Sequence, residues 1–161
     1  MKIYIFRHGE TTYNRDRRFT GFDDPPLTEL GLEQAKIIAG KLKDKNFGIA
    51  YQTSLQRSKD TLKEILKFHP ECQKILTDDR MIERNYGNLN GKTHLQVVEK
   101  FGASQYDSWH RSFNNKPPKG ESFKDVEKRV MGFIQDLIKI IKKNKVNVAI
   151  SAHNNSMRLF R

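Results

Sequence analysis

The stretch VNVAIS at residues 146–151 is a short, largely apolar run with several β-branched side chains, and Ala152 and His153 follow it directly. A run of this kind is typical of a strand at the centre of a parallel sheet that helices cover on both faces. In open sheets of this class, ligands bind outside the carboxyl ends of the strands. The stretch therefore predicts a layered α/β fold, and it places His153 at the edge of the sheet where a site would form.

Three earlier segments also have the short apolar character of strands, at residues 2–6, 49–52 and 74–77. Apolar residues at helical spacing lie between them, over residues 30–42 and 62–68. Strands that alternate with helices in this way predict a single domain over residues 1–161. Its expected architecture is a three-layer α/β/α sandwich with a mostly parallel central sheet.

The region between the third and the last strand is predicted to be a loop followed by helices. Residues 78–92 are rich in polar side chains and contain two glycines, which predicts the loop. Helical patterns resume over residues 93–112, where Gly102 interrupts them. Ser122 and Asp125 resemble a capping box and predict the start of the longest amphipathic helix of the chain.

Composition excludes several classes of protein. The chain has 161 residues and a single cysteine, Cys72, so it is not a disulfide scaffold or a zinc finger. No apolar run approaches the roughly 20 residues of a membrane span, and the early charged residues do not form a secretory signal. A lone cysteine suits a reducing compartment, so we expect a cytoplasmic location and no contact with a membrane. No paired-histidine or CxxC spacing is present, so we expect no metal.

The net charge of +11 indicates an anionic partner. Most of the basic residues are dispersed, and the densest lysine cluster, at residues 139–145, closes a predicted helix, where cations complement the helix dipole. The cluster lacks the interleaved aromatic residues of a single-strand nucleic-acid binder. We therefore expect a small phosphorylated anion as the partner and not a nucleic acid. The sequence leaves the oligomeric state open, and a homo-oligomer is compatible with it.

Charged and nucleophilic side chains follow the predicted strands. Arg7 and His8 follow the first strand, Arg57 comes shortly after the second, and His153 follows the last. A histidine can attack phosphorus while arginines neutralise the phosphoryl oxygens. Glu83, in the polar loop, can move the proton of the leaving or entering oxygen. Because an ordinary histidine is protonated in mild acid, we expect activity to fall below about pH 6.

Three motifs resemble those of the histidine phosphatase superfamily: FRHGET at 6–11 followed by Asn14, SLQRS at 54–58, and SAH at 151–153. The resemblance implies that His8 becomes phosphorylated and that Arg7, Arg57 and His153 bind the phosphoryl group. It also implies that Glu83 donates and accepts the proton, and that no metal takes part.

Within that superfamily, four segments resemble the 2,3-bisphosphoglycerate-dependent phosphoglycerate mutases: RFTGF at 18–22, ERNYGNLNG at 83–91, WHRSF at 109–113 and AHNNSMR at 152–158. The resemblance implies interconversion of 3- and 2-phosphoglycerate through phosphohistidine, with 2,3-bisphosphoglycerate as the phosphoryl primer and no bound cofactor. The substrate-binding residues that it implies are Asn14, Thr20, Gly21, Arg84, Tyr86, Arg111 and Asn154.

Several positions depart from the mutase pattern. His110 stands where these mutases carry an arginine, Asn154 replaces a glycine, and Lys92 and His94 lie near the place of a loop lysine. The short segment before Glu121 is similar to that of smaller phosphatases. A broad-specificity phosphatase for small phosphomonoesters is therefore the alternative activity, and a non-catalytic anion-binding protein is a third. Relatives continue past the last helix, so the chain is expected to lack the C-terminal end of the family fold.

Overall fold

The computed structural model describes residues 1–160. Four strands form one sheet in the order β1-β4-β2-β3, and every pairing is parallel. The strands are β1 (Ile3–Arg7), β2 (Ile49–Gln52), β3 (Lys74–Thr77) and β4 (Val148–Ala152). The predicted parallel α/β sheet is confirmed, with β1 and β4 each displaced toward the C-terminus by one or two residues.

Seven helices are assigned among these residues: α1 (Thr12–Arg15), α2 (Glu29–Leu42), α3 (Gln56–Leu66), α4 (His94–Phe101), α5 (Ala103–Arg111), α6 (Phe123–Asn144) and α7 (Asn154–Arg158). Two single turns of 3₁₀ helix, Asp79–Met81 and Gly87–Leu89, lie in the segment predicted to be a loop. The break between α4 and α5 falls at Gly102, whose φ of +82° favours glycine. The predicted interruption at this residue is confirmed.

The strand β4 lies at the centre of the core, and all five of its residues are buried. Because successive side chains of a strand point to opposite faces, Ala149 and Ile150 contribute to two different clusters. Ala149 packs with Phe6, Ala50 and residues of α2 and α3. Ile150 packs with Tyr51 and with the apolar stripe of α6. Helices therefore cover both faces of the sheet, as a three-layer sandwich requires.

The long helix α6 is defined at both ends by local hydrogen bonds. At its start, the Ser122 hydroxyl accepts from the Asp125 amide and the Asp125 carboxylate accepts from the Ser122 amide, which confirms the predicted capping box. At its end, Lys145 adopts a left-handed conformation with φ of 51° and its amide donates to the Ile141 carbonyl. No helix assigned within residues 1–160 has the length and apolar character needed to span a bilayer.

Candidate active site

The carboxyl ends of β1 and β4 bring two histidines together. The strands are parallel neighbours in which Arg7 is paired with Ala152, so the residues that follow them emerge side by side. The His8 amide donates to the Ala152 carbonyl at 3.2 Å, and the rings of His8 and His153 lie 5.0 Å apart between centroids. The proximity predicted from the strand ends is present in the structure.

The tautomer of His8 follows from its contact with Gly9. Its Nδ1 lies 2.7 Å from the Gly9 carbonyl oxygen, which can only accept, so Nδ1 carries the proton and Nε2 keeps its lone pair. Gly9 is required here because a Cβ would overlap the carbonyl oxygen of Gly31. The Gly9 amide also donates to the Thr61 hydroxyl at 3.1 Å, which fixes the turn. The ring therefore presents Nε2 as its nucleophilic atom.

The site keeps His8 neutral. Burial, followed by the positive charges of Arg57 and Arg7, lowers the pKa of His8 from 6.5 to about 3, with the Gly9 carbonyl opposing in part. The ring is therefore unprotonated throughout the mildly acidic range. The expectation that activity falls below about pH 6 used the pKa of a solvent-exposed histidine, and the lowered pKa of the buried His8 does not support protonation of this ring as its cause.

His153 is completely buried beside His8. Its Nε2 lies 2.8 Å from the Thr53 hydroxyl, whereas its Nδ1 has no hydrogen-bond partner. Burial is the main reason that the pKa of His153 is lowered well below its ordinary value, and the positive charges of Arg57 and Arg7 act in the same direction. If the Thr53 hydroxyl donates to Nε2, the Nδ1–H of the neutral ring is left as a free donor.

Arg57, in the first turn of α3, is buried with its charge held by backbone carbonyls. Its Nη1 donates to the Asp23 carbonyl at 2.6 Å and its Nη2 to the Gly21 carbonyl at 3.0 Å. The Asp24 carboxylate lies 3.4 Å from Nη1 and supplies a counter-charge. Burial lowers the pKa of this guanidinium, but arginine stays protonated at any physiological pH.

Four buried side-chain polar atoms lack a partner among the described residues, and three of them surround this site: Arg57 Nε, His153 Nδ1 and His110 Nδ1. Because buried polar groups are nearly always paired, such a concentration marks a place where a ligand would supply the missing hydrogen-bond partners.

The Glu83 side chain is also buried, and its orientation is set by two backbone amides. Its Oε1 accepts from the Arg84 amide at 2.8 Å and from the Asn155 amide at 3.2 Å. The Asn155 side-chain amide in turn donates to the Tyr86 hydroxyl at 3.1 Å. Burial raises the pKa of Tyr86 to about 12, so its hydroxyl keeps its proton. Glu83 and Tyr86 both line one cavity of the site.

The cavity has a volume of about 150 Å³ and takes its walls from Arg7, Asn14, Arg18, Phe19, Thr20, Gly21, Glu83, Tyr86, His94, His110, Asn154 and Asn155. A second cavity, of about 250 Å³, shares Arg7 and Asn14 with the first and reaches His8. Most of the site residues predicted from the sequence therefore meet at one cleft, with Arg57 and His153 buried beside His8. Asn154 lies there as the first residue of α7, so its helical backbone does not require a glycine.

Two of the predicted substrate-binding residues do not line this cleft. Arg84 is fully buried and donates to the carbonyls of Glu121 at 2.8 Å, Trp109 at 2.7 Å and His110 at 3.3 Å. Arg111 has a side chain that is 75% exposed and pairs with Asp107 at 3.2 Å. Arg84 thus connects neighbouring loops through hydrogen bonds, and Arg111 lies on a different part of the surface.

Sequence reasoning left two histidines of the cleft without a role. The rings of His94 and His110 lie 5.3 Å apart, and both pack against Phe19. Burial is the main reason that the pKa of His110 is lowered to about 4, and burial also lowers the pKa of His94. The signal for these residues was present, since both stand at departures from the mutase motifs. Together they give this cleft a neutral wall, whereas the mutase pattern has an arginine at the position of His110.

No group of three or more His, Cys, Asp or Glu side chains in the described part of the chain is arranged to hold a metal ion. Metal-independent chemistry stays a prediction from the sequence.

Two neutral histidines, a buried guanidinium and a carboxylate lie at one edge of the parallel sheet. This combination is typical of an enzyme active site that binds an anionic group. A comparison with protein families identifies the class of enzyme, because the family model described as histidine phosphatase superfamily (branch 1) matches residues 3–161. The chain belongs to the histidine phosphatase superfamily.

Relatives of similar sequence are named as mutases. The 2,3-bisphosphoglycerate-dependent phosphoglycerate mutase of Cytophaga hutchinsonii is 37% identical over 156 residues, which is 97% of this chain and 73% of that protein. A phosphoglycerate mutase of Schizosaccharomyces pombe is 37% identical over 161 residues, covering 97% of this chain and 75% of its own. The chain thus spans about three quarters of the length of these relatives.

Solved structures of similar fold include both phosphatases and a mutase. A mycobacterial glucosyl-3-phosphoglycerate phosphatase in complex with VO3 has a TM-score of 0.85 and 26% identity, covering 97% of this chain and 76% of its own. A phosphoglycerate mutase from Bacillus anthracis has a TM-score of 0.82 and 25% identity, covering 98% and 76%. The fold is therefore common to both activities.

Proposed function

We propose that this chain is a phosphoglycerate mutase that interconverts 3- and 2-phosphoglycerate through a phosphohistidine on His8, with 2,3-bisphosphoglycerate as primer. The observation that carries the proposal is the unprotonated Nε2 of a buried His8 beside Arg57 and His153. The mutase names of relatives that match 97% of the chain support the choice of substrate.

In the priming step, the His8 Nε2 lone pair attacks one phosphorus of 2,3-bisphosphoglycerate. A P–N bond forms, the P–O ester bond breaks, and the leaving oxygen takes a proton from Glu83. Negative charge on the phosphoryl oxygens is balanced by Arg57 and Arg7, and the His153 ring, whose Nδ1 has no hydrogen-bond partner, supplies a neutral donor in the tautomer with the proton on Nδ1.

In the next step, a hydroxyl of the bound phosphoglycerate attacks the phosphohistidine while Glu83 accepts its proton. The P–N bond breaks, bisphosphoglycerate re-forms, and reorientation lets the other phosphate return to His8. The net result is movement of the phosphate between the 2- and 3-oxygens, with the phosphohistidine regenerated. Retention of the bisphosphorylated intermediate in the cleft is therefore the property that separates a mutase from a phosphatase.

A phosphatase is the second candidate, and one structural observation favours it. Arg84 and Arg111, the two cations among the implied substrate-binding residues, contact backbone carbonyls and Asp107 respectively. If the site binds the substrate less tightly away from His8, the phosphoglycerate would dissociate after the first transfer. Water would then attack the phosphohistidine and release inorganic phosphate. The phosphatase names among the structural neighbours support this candidate.

Product analysis separates the two candidates. The protein is incubated with 3-phosphoglycerate, with and without 2,3-bisphosphoglycerate, and every product is identified by ³¹P NMR. The mutase proposal predicts 2-phosphoglycerate that depends on primer and on His8, with His8→Asn inactive and the remote variant His69→Asn active. Release of inorganic phosphate without the isomer would replace the mutase by the phosphatase.

The remaining expectations follow from the same proposal. We infer that the partner is a small phosphorylated anion, since Arg7 and Arg18 line the cleft and the charge of the buried Arg57 acts on His8. A cytoplasmic location is proposed on the single cysteine, Cys72.

A further inference from the structure

One arginine of α6, Arg129, uses every donor of its guanidinium. Arginine has five N–H groups in a fixed fork, and all five are engaged here although the residue lies outside the cleft lining. The bonds run from Nη1 to the carbonyls of Arg80 and Ile82 at 2.8 Å, from Nη2 to the Glu83 carbonyl at 3.0 Å, and from Nε and Nη2 to the Glu121 carboxylate at 3.0 Å. Three of the five acceptors thus belong to the segment that carries Glu83.

That segment has few hydrogen bonds from regular structure. After the 3₁₀ turn Asp79–Met81, the chain forms neither helix nor strand until residue 87. Buried carbonyls without partners are costly, so side chains must supply the missing donors. Arg129 does this for three carbonyls, and the Ser156 hydroxyl does it for the Met81 carbonyl at 2.8 Å.

The Glu121 carboxylate extends the same network to the other side of Glu83. It pairs with Arg129 at 3.0 Å, and its Oε2 accepts from the Asn85 amide at 2.9 Å. The backbone is therefore anchored before and after Glu83 by one ion pair whose side chains are 17% and 22% exposed. With its backbone fixed, the Glu83 carboxylate can meet the Arg84 and Asn155 amides in only a narrow range of positions.

We propose that Arg129 is a positioning residue that holds Glu83 where it exchanges a proton with the substrate oxygen. The inference rests on the proposed phosphoryl transfer through His8. Arg129 itself does not line the cleft, so it acts only through the segment that it binds. A misplacement of about 1 Å at a reacting group is sufficient to slow a step by about a hundredfold.

The test is the rate of His8 phosphorylation by two donors that differ in their need for an acid. 2,3-Bisphosphoglycerate releases an alkoxide that must be protonated, whereas 2,4-dinitrophenyl phosphate releases a phenolate that is stable without a proton. Removal of the acid in Glu83→Gln is expected to slow phosphorylation by the first donor by about 10²–10⁴-fold. The rate of phosphorylation by the second donor should change by less than about threefold, because no proton is transferred in its reaction.

Arg129→Ala should show the same selectivity, slowing phosphorylation by bisphosphoglycerate about 10- to 100-fold more than by dinitrophenyl phosphate. Arg129→Lys keeps the charge but not the planar fork, so its selectivity should be intermediate. Lys128→Ala removes an exposed cation from the same helix and should match the wild type with both donors. Urea unfolding establishes whether each variant is folded. If Arg129→Ala does not fold, the donor selectivity of Arg129→Lys is the test of the proposal.

The outcomes separate the two claims. If the wild type labels His8 with neither donor, the proposed function fails. If Glu83→Gln is donor-selective but the Arg129 variants slow both donors equally, or neither, the positioning role is refuted while the function stands. A Glu83→Gln variant without donor selectivity also refutes the inference, because Arg129 would then have no proton transfer to support.

Discussion

Replacement of His8 should weaken the acid sensitivity of the fold. Burial and the neighbouring guanidinium groups lower the pKa of His8 from 6.5 to about 3, so between these values the unfolded chain binds a proton that the folded chain does not. Stability therefore falls as the pH falls through this window. The loss attributable to His8 is about 2 kcal/mol between pH 7 and pH 5, and about 5 kcal/mol once the pH is below 3. His8→Asn removes this titration and leaves the other buried histidines in place.

Urea unfolding of both proteins at pH 7 and pH 5 measures the effect. The free energy of unfolding of the wild type should fall by about 2 kcal/mol more than that of His8→Asn over this interval. ¹⁵N NMR of the His8 ring should show Nδ1 protonated and Nε2 unprotonated at pH 5. Superimposable pH dependences, or ring protonation near pH 6.5, would refute the argument that the site holds a neutral nucleophile.

Three further substitutions test other parts of the site. Thr53→Val removes the partner of His153 Nε2, so it should lower the free energy of unfolding in urea by about 1 kcal/mol. It should also slow His8 phosphorylation about tenfold in rapid-quench assays. An unchanged rate would show that the Thr53–His153 hydrogen bond does not contribute to phosphoryl transfer. Arg57→Met removes the buried cation and should slow phosphorylation by about 10²–10³-fold and weaken inhibition by vanadate, whereas wild-type inhibition would argue against phosphoryl binding there. His110→Arg adds a permanent charge to the neutral wall of the cleft and should lower KM for the bisphosphorylated primer about fivefold relative to a monophosphate, with an equal KM ratio as the contrary result.

Much of the fold is predictable from local sequence. The apolar stretch at 146–151 contains most of β4, and Ser122 with Asp125 starts α6 as predicted, because both signals depend on neighbouring residues. The short helix α1 and the 3₁₀ turns after residue 78 were missed. Elements of three or four residues have too few side chains to establish a periodic pattern.

The candidate site is predictable only in part. Strand ends and motifs identify His8, His153 and Arg57, since parallel strands bring their following residues to one edge. The environment of a side chain depends on distant segments, however. Arg84 was expected to meet substrate, but its donors meet carbonyls 25 to 37 residues away in the chain, and backbone acceptors have no sequence signature. The low pKa of His8 has the same origin, because it comes from burial that the full fold creates.

The most direct test of the central claim is the position of the phosphate after a brief incubation with 2,3-bisphosphoglycerate. The protein is quenched in alkali, digested, and mapped by mass spectrometry and ³¹P NMR. Because His8 Nδ1 donates to the Gly9 carbonyl, the account predicts phosphate on His8 and on its Nε2 atom. Phosphate on His153, on His8 Nδ1, or on no histidine would contradict it.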